Sequence, residues 1–162
     1  MSFSRCNEST FAYFPMNAVP FAKGAFKKVW RGHYTDGPRK GEECVSKVFT
    51  RSVFEDHYFK VEMRVIRRAQ WIIDAWNATG VIGMPVVLNV PAIWTSQIDG
   101  ERRLVEPFIK DFQKFNSNAG LVYFQGTPWS DALQALSHFS YHHSHGRMLL
   151  CDIQGGIYTD GL

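Results

Sequence analysis

Residues 136 to 156 read LSHFSYHHSHGRMLLCDIQGG. A helical segment ending at residues 145–146 leads into a short apolar run, 148–151, which we expect to be a strand. Asp152 would then lie at the end of a buried strand, where a carboxylate needs a cation or a donor to offset its burial. Gln154 points to the same side of an extended chain, so the two side chains offer oxygen ligands such as Mg²⁺ prefers beside phosphates. A strand followed by a glycine turn, with an incidental Asp, is the simpler alternative.

Two blocks of this sequence resemble the alpha-kinases, a family of atypical Ser/Thr protein kinases. The stretch quoted above is similar to the family's signature of a helix, a strand and Asp-Ile-Gln-Gly, and LVEPFIKDFQKFNSNAG, residues 104–120, is similar to its hinge and following Lys/Asn segment. The resemblance implies an α+β, kinase-like two-lobed fold with a β-rich N-terminal lobe, one long helix and an incomplete C-terminal lobe. It divides the chain into a lead-in, residues 1–17, and a kinase domain, residues 18–162.

The composition bounds the class of protein. The chain has 162 residues, enough for one domain with a hydrophobic core, and 45% of them are hydrophobic, which argues against disorder. Its net charge of +3 is too small to indicate a nucleic-acid partner. The three cysteines are scattered and form no CxxC pair, so we expect a reducing, intracellular or cytoplasmic location. No signal-like or membrane-length apolar run is present, so no membrane partner is expected.

Residues 19–30 predict two strands joined by a turn, at which Gly24 can adopt a positive φ. Basic side chains beside such a turn can face a phosphate chain, although an ordinary hairpin is the more common explanation of such a pattern. The resemblance places this turn over the phosphates of ATP, with Lys27 in the family's basic position.

Residues 43–49 predict the next strand, in which Lys47 shares a side with Val45 and Phe49. The lysine either extends along apolar surface to reach solvent or, as in kinase-like folds, binds the α- and β-phosphates. The resemblance implies the second role.

Apolar residues recurring every three or four positions predict a long helix over 52–77. Ser52 and Glu55 form a potential capping box at its start, and residues 77 and 80 are typical of its end. Glu62 lies at the edge of the apolar stripe. It is either a solvated glutamate or, by the pairing logic of kinases, the partner of Lys47.

Residues 84–90 and 92–98 predict two further strands, and the second turns back at Asp99-Gly100, a hairpin signal. The returning strand reaches Pro107, which has no N–H, so we expect pairing to stop there. Free backbone groups at this point would suit a hinge that binds an adenine edge, although a plain strand end is the alternative. The resemblance places Glu106 and Phe108 at the adenine-binding hinge, mainly through their backbone.

Residues 110–120 are polar, and Asn116 and Asn118 favour turns, which by themselves indicate a surface turn. The resemblance instead places Lys114 and Asn118 in an active site. Lys114 would neutralise charge near the transferred phosphate, and Asn118 would orient phosphate, metal or substrate. Asp152 would be the metal ligand or the catalytic base, with Gln154 supporting it.

A second helix is predicted over 128–145, capped by Ser130 or Asp131. Its histidines suggest a metal site by their density, and they are His138, His142, His143 and His145. In the resemblance only His138 corresponds to a zinc ligand. We expect the other three to be solvated near the C-terminus of the helix, where positive charge is favourable.

The alpha-kinase pattern continues beyond the signature into a Thr-Asp-Pro motif, a substrate loop and further zinc ligands. This chain instead ends with residues 157–162, so we expect the domain to be incomplete, Asp160 not to bind metal and zinc not to be held. Three functions remain open. The first is an ATP- and Mg²⁺-dependent kinase acting on Ser/Thr of protein substrates. The second is a nucleotide-binding pseudokinase or interaction module without catalytic activity, and the third is a plain α+β interaction domain.

Overall fold

A computed structural model describes residues 6–15, 19–24, 26–50 and 55–158 of the protein. The chain divides into two compact units. Unit 1 comprises the described residues up to Ile66 together with Val87–Phe108, and unit 2 comprises Arg67–Val86 and the described residues from Ile109 onward. Eight strands and two helices lie within the described ranges, which agrees with the predicted α+β class.

Unit 1 is built on an antiparallel sheet of six strands in the order β1-β3-β4-β6-β5, with β2 also paired to β3. The predicted strand over 43–49 and the predicted hairpin over 19–30 are both present. The strands are β1 (Ala12–Tyr13), β2 (Ala22–Lys23), β3 (Lys27–Tyr34), β4 (Glu43–Phe49), β5 (Ala92–Thr95) and β6 (Arg102–Pro107).

The core of this sheet lies along the central strand β4. Cys44 is fully buried there and packs with Tyr34 and Val105. Burial raises the pKa of the Cys44 thiol to about 12, and the Glu43 carboxylate adds to that effect. Burial likewise raises the pKa of the Tyr34 hydroxyl well above its ordinary value. Both groups are therefore uncharged in the folded sheet.

The strand predicted over 84–90 is wrong. Within the described residues this segment contributes only an isolated bridge between Val90 and Cys6. The Asn77 side chain takes both backbone groups of Val86, donating to its C=O at 2.8 Å and accepting from its N–H at 3.0 Å. Because the Asn77 side chain satisfies the N–H and the C=O of Val86, this residue does not need a neighbouring strand.

The hairpin predicted at Asp99-Gly100 is confirmed, with Gly100 at a φ of 71°. The strand before it is shorter than the predicted range 92–98, since β5 ends at Thr95. The Ser96 N–H already donates across the turn to the Glu101 C=O at 2.9 Å.

Helix α1 spans Glu55–Thr79, close to the predicted 52–77. It ends as expected, with Gly80 in the left-handed region at a φ of 61°. The proposed capping residue Ser52 lies outside the described residues. The first part of α1, up to Ile66, belongs to unit 1, and the remainder belongs to unit 2.

Unit 2 contains helix α2, Pro128–His143, whose N-cap is Thr127. The predicted caps Ser130 and Asp131 are wrong, because Pro128 lacks an N–H and suits the first helical position. Ser130 lies inside the helix, and its hydroxyl donates to the Tyr123 C=O at 2.7 Å. The apolar core of the unit joins both helices through Ile72, Trp76, Phe115, Leu133 and Leu136.

The strand predicted over 148–151 is also wrong. The segment is held to α2 by serine hydroxyls instead of a ladder. The Ser144 hydroxyl accepts from the Met148 N–H at 2.9 Å, and the Ser140 hydroxyl accepts from the Leu150 N–H at 2.7 Å. Regular pairing begins only after Asp152, where β8 (Gln154–Gly155) pairs with β7 (Gln113–Lys114).

Candidate functional site

The predicted phosphate-binding lysine of unit 1 forms an ion pair with a residue of the next strand. Lys47 on β4 contacts Glu106 on β6. The register sets Lys47 opposite Leu104 and Glu106 opposite Val45, so Lys47 and Glu106 are diagonal neighbours on one face of the sheet. The predicted pairing of Lys47 with Glu62 is therefore wrong. Glu106 was predicted only as a hinge residue, and its pairing with Lys47 was missed because the two strands are distant in sequence.

The Lys47–Glu106 pair is partly buried, with side-chain exposures of 30% for Lys47 and 11% for Glu106. A carboxylate this shielded from water destabilises the fold unless a cation is beside it. Lys47 and Glu106 therefore keep each other in position. The ammonium keeps access to solvent at a position fixed by the sheet. Because the position of the Lys47 ammonium is already fixed, it can interact with an anionic ligand without a further loss of side-chain entropy.

The basic residue after the glycine turn has a partner of its own. The Lys27 ammonium lies 2.5 Å from Glu62 of α1 and 5.3 Å from the centroid of the Phe49 ring. Gly24 does not have the positive φ that we expected, and an added Cβ there would meet only the Lys27 C=O at 3.8 Å. The Gly24 N–H donates to that C=O at 2.9 Å, a hydrogen bond that an ordinary hairpin also makes.

The predicted hinge is more fully hydrogen-bonded than expected. The Pro107 C=O accepts from the Asn89 side chain at 3.0 Å. The Phe108 N–H donates to the Glu43 C=O at 3.0 Å, so pairing continues one residue past Pro107 and the predicted end of pairing is wrong. Both of these backbone groups are engaged within unit 1.

The Phe108 side chain is held by a cation. The Arg31 guanidinium lies 4.3 Å from the Phe108 ring centroid and forms an ion pair with Glu43 at 2.5 Å. The Phe21 ring meets Phe108 edge-on at 6.1 Å. These groups form an ordered aromatic surface, of the type on which a nucleic-acid base stacks.

In unit 2 two of the three predicted catalytic residues, Lys114 and Asp152, are in contact. The Lys114 ammonium lies 2.5 Å from the Asp152 carboxylate, and both side chains are open to solvent. The hydrogen bond to Asp152 raises the pKa of the Lys114 ammonium above its ordinary value, so that group is charged at neutral pH. The pairing of Lys114 with Gln154 between β7 and β8 brings Gln154 to the same place.

Asp152 has a strained backbone. Its φ of 58° is in the left-handed region, which Asp tolerates better than most residues but which costs on the order of 1 kcal/mol. Both backbone groups of the next residue, Ile153, are hydrogen-bonded. The Ile153 N–H donates to Asn116 Oδ1 at 2.8 Å, and its C=O accepts from the Phe115 N–H at 2.9 Å. Each such bond contributes about 1 kcal/mol, enough to offset the strain.

Asn116 is the site residue that the sequence did not reveal. The residue is buried, and its Nδ2 donates to Gln134 Oε1 and to Ser137 Oγ, each at 3.1 Å. The pattern presented it only as a turn former. No signal in the sequence separates it from Asn118, two residues later.

Asn118 lies exposed in the turn that follows β7. The Ser117 hydroxyl closes this turn by accepting from the N–H groups of Ala119 at 3.2 Å and Leu121 at 3.0 Å. Within the part of the chain that the structure describes, no hydrogen bond links Asn118 to Lys114 or Asp152. Its role in the chemistry stays a prediction.

Close packing fixes the end of residues 152–156, which we call the signature segment. A Cβ on Gly156 would lie 2.6 Å from the Lys110 C=O and 2.9 Å from Ile109 Cγ2. Residues 154–156 can therefore lie this close to residues 109 and 110 only if position 156 is glycine.

The donor set of this segment fits Mg²⁺. The described residues contain no group of three or more His, Cys, Asp or Glu side chains suited to a metal. Mg²⁺ is usually held by one or two protein carboxylates together with phosphate oxygens and waters, so Asp152 and Gln154 would suffice beside a triphosphate.

The histidines of α2 do not form a zinc site among the described residues. His138 lies against His142, with ring centroids 4.5 Å apart, whereas tetrahedral zinc needs four ligands. His142 and His145 are exposed, as expected. His143 is not solvated as predicted, because its ring packs 4.4 Å from Trp71 and 5.1 Å from Phe139. Asp160 lies outside the described residues.

Neither helix in the described ranges has the length and apolar character needed to cross a bilayer.

Comparison with known proteins gives consistent matches. The sequence pattern of the alpha-kinase family matches residues 22–161. Myosin heavy chain kinase B of Dictyostelium discoideum is 32% identical over 154 residues, covering 88% of this chain and 20% of that protein. Alpha-protein kinase 1 of the same organism is 33% identical over 154 residues, covering 88% of this chain and 11% of that protein. The chain thus spans a fifth or less of the length of these curated relatives.

Solved structures share the fold. An inactive alpha-kinase domain of myosin heavy chain kinase A in complex with ATP superposes with a TM-score of 0.63 at 22% identity, covering 90% of this chain and 71% of that chain. An alpha kinase from Entamoeba histolytica gives a TM-score of 0.65 at 21% identity, covering 92% of this chain and 60% of that chain. The predicted kinase-like α+β fold is confirmed. Because the family pattern covers most of the sequence and solved alpha-kinase domains share its fold, this chain belongs to the alpha-kinase family.

Proposed function

We propose that the protein is an alpha-type protein kinase, which transfers the γ-phosphoryl group of ATP to Ser or Thr of protein substrates with Mg²⁺. The observation that carries this proposal is the 2.5 Å contact between Lys114 and Asp152. These are two residues for which the resemblance implies catalytic roles. The similarity to a kinase domain solved with ATP supports the choice of nucleotide.

Asp152 and Gln154 are the proposed ligands of Mg²⁺. The ion supplies neutralisation of phosphate charge when bound. Asp152 can alternatively accept the proton of the substrate hydroxyl, because its carboxylate is solvent-accessible and lies beside the Lys114 ammonium. Lys114 would balance negative charge on the transferred group, and the exposed Asn118 would contact phosphate or substrate.

Lys47 is the proposed ligand of the nucleotide phosphates, oriented by its contact with Glu106. Lys27, which is paired with Glu62 at 2.5 Å, and the turn at Gly24 are further candidates for this role. The ring of Phe108, held by Arg31, would provide the surface against which the adenine lies. Glu106 would contribute through its hold on Lys47 as well as through its backbone.

Two measurements on the chain test the proposal. Thermal shift with ATP and Mg²⁺ reports nucleotide binding. Transfer of radiolabelled phosphate from ATP to a mixed protein substrate, followed by phosphoamino-acid analysis, reports the reaction and its Ser/Thr preference. We expect stabilisation by ATP and label on Ser or Thr. Binding without transfer would instead support the nucleotide-binding module, and the absence of both would contradict a role for ATP.

An intracellular location is a further proposal. None of the three cysteines, all of which lie in the described ranges, forms a disulfide. This agrees with a reducing compartment, where ATP and protein substrates of kinases are also found. Fractionation of cells that express the protein would test it.

A further inference from the structure

Asn116 connects helix α2 to the segment that carries Asp152. Only 4% of the residue is exposed, and both ends of its carboxamide are used. Its Oδ1 accepts from the Ile153 N–H at 2.8 Å, and its Nδ2 donates to Gln134 Oε1 and Ser137 Oγ at 3.1 Å. The carboxamide is therefore fixed by the helix on one side and fixes the signature segment on the other.

The signature segment needs such an anchor because of its backbone conformation. The left-handed φ of Asp152, 58°, turns the chain so that the Ile153 N–H points to Asn116. If that N–H were released, an extended Asp152 would be favoured by local sterics. The carboxylate that now lies 2.5 Å from Lys114 would then move away.

We propose that Asn116 is a positioning residue for phosphoryl transfer: by holding the Ile153 N–H it keeps Asp152 left-handed and its carboxylate against Lys114. This inference rests on the proposed kinase function, and Asn116 acts through Asp152 without touching the substrate. A mispositioned carboxylate slows the chemical step, because transfer depends on geometry. It leaves nucleotide binding by the remaining residues nearly unchanged.

Three variants separate this role from a general structural one. Asn116→Ala removes all the side-chain bonds. Asn116→Asp keeps the oxygen that accepts from Ile153 and loses the two donated bonds. Asn77→Ala is the matched control, because Asn77 also lies in unit 2 and also bridges a backbone, that of Val86, at 2.8 and 3.0 Å.

In kinetic measurements on the chain we expect Asn116→Ala to lower kcat at least tenfold while KM for ATP changes less than twofold. Asn116→Asp should recover most of that loss, and Asn77→Ala should keep kcat within twofold of the wild type. An unchanged kcat in Asn116→Ala would overturn the inference. So would an equal loss in Asn77→Ala, or a loss that appears only in KM.

A second measurement does not depend on activity. Amide hydrogen exchange and NMR on the chain without nucleotide report the Ile153 N–H and the proximity of the Lys114 and Asp152 side-chain protons. We expect Asn116→Ala to lower the protection of Ile153 at least tenfold and to abolish the Lys114–Asp152 contact, with both retained in Asn116→Asp. If both persist in Asn116→Ala, the inference fails even though the kinase function stands.

The kinase proposal fails separately, if the wild-type chain transfers no phosphate. The exchange and proximity data then still decide whether Asn116 holds Asp152 in place. If Asn116→Ala does not fold, Asn116→Ser replaces it. Its hydroxyl ends one bond short of the Oδ1 position, so it leaves the Ile153 N–H unbonded, and the same outcomes apply.

Discussion

Two lysine–carboxylate pairs are built in different ways. Lys47 and Glu106 lie on adjacent long strands of a regular sheet, with only 11% of the Glu106 side chain exposed. Lys114 and Asp152 lie at a two-residue ladder, with 40% and 46% of their side chains exposed, and Asp152 has a left-handed backbone. The first pair is maintained by the regular strand register, and the second by individual side-chain bonds.

The difference predicts different consequences of mutation. Loss of one partner of a shielded pair destabilises the fold, because the remaining charge is left with neither water nor a counter-ion. An exposed pair contributes little to stability. The strained and accessible carboxylate of Asp152 is therefore expected to matter for activity. Mutation of the Lys47 pair should therefore lower stability as well as nucleotide binding, and mutation of the Lys114 pair should lower mainly activity.

The largest expected effect is that of Asp152→Ala on phosphate transfer. Loss of a metal ligand or catalytic base should lower the rate on the order of a thousandfold, with little change in the urea midpoint of unfolding. Asp131→Ala, an exposed aspartate in the first turn of α2, is the control and should remain active. If Asp152→Ala keeps its rate, or loses stability as a Lys47 variant does, the contrast between the pairs is wrong.

Removing the ammonium of the sheet pair should destabilise the fold. Lys47→Met leaves the shielded Glu106 carboxylate unpaired, and we expect a loss of about 2–3 kcal/mol in the free energy of unfolding. Adding Glu106→Gln should recover more than half of that loss. Urea unfolding of the single and double variants measures both values, and a double variant no more stable than Lys47→Met would contradict the coupling.

Two glycines provide a third contrast. Gly156→Ala would place a Cβ 2.6 Å from the Lys110 C=O, so we expect it to destabilise unit 2 by about 2 kcal/mol. At Gly24 the φ is not positive and a Cβ would meet only the Lys27 C=O, at an ordinary contact distance of 3.8 Å, so the effect of Gly24→Ala should stay within about 0.5 kcal/mol. Urea unfolding again measures both variants, and equal losses would show that the contact at Gly156 is not limiting.

The smallest expected effect is an alkaline loss of stability from the sheet. Burial raises the pKa of Cys44 from 9.0 to about 12, so above pH 9 the unfolded chain releases a proton that the folded chain keeps. Stability should therefore fall as pH rises, by about 1 kcal/mol from this thiol at pH 10. Tyr34, whose pKa is also raised by burial, acts in the same direction.

Urea unfolding of the wild type and Cys44→Ala from pH 8 to pH 10 tests this effect. The variant should lose less stability over that interval. Parallel curves for the two proteins would mean that the thiol is not the group responsible.

The sequence predicted the parts of the fold that periodicity controls. The strand over 43–49, the hairpin at Asp99-Gly100 and the long helix α1 all depend on patterns within a few residues. The strands predicted over 84–90 and 148–151 failed for one shared reason. Side chains of the preceding helix, Asn77 of α1 in one case and Ser140 and Ser144 at the end of α2 in the other, bond backbone groups of these segments in place of a neighbouring strand.

The site was predictable only in part. Lys114 and Asp152 came from the resemblance to a family, and the structure adds that they are in contact. Glu106 as the partner of Lys47 depends on which strands become neighbours, and the burial of Asn116 depends on where α2 packs. Spacing along the chain carries no information on either.

The contrast in burial among the cysteines offers a way to follow the opening of the protein. Cys44 has no exposed surface, whereas Cys151, next to the candidate metal ligand, is exposed. A thiol-specific reagent at neutral pH should therefore alkylate the exposed Cys6 and Cys151 quickly and Cys44 only when the sheet opens. The slow phase of such labelling would time the transient unfolding of unit 1. In a Cys6→Ser variant, the fast phase would allow a fluorophore to be attached beside Asp152.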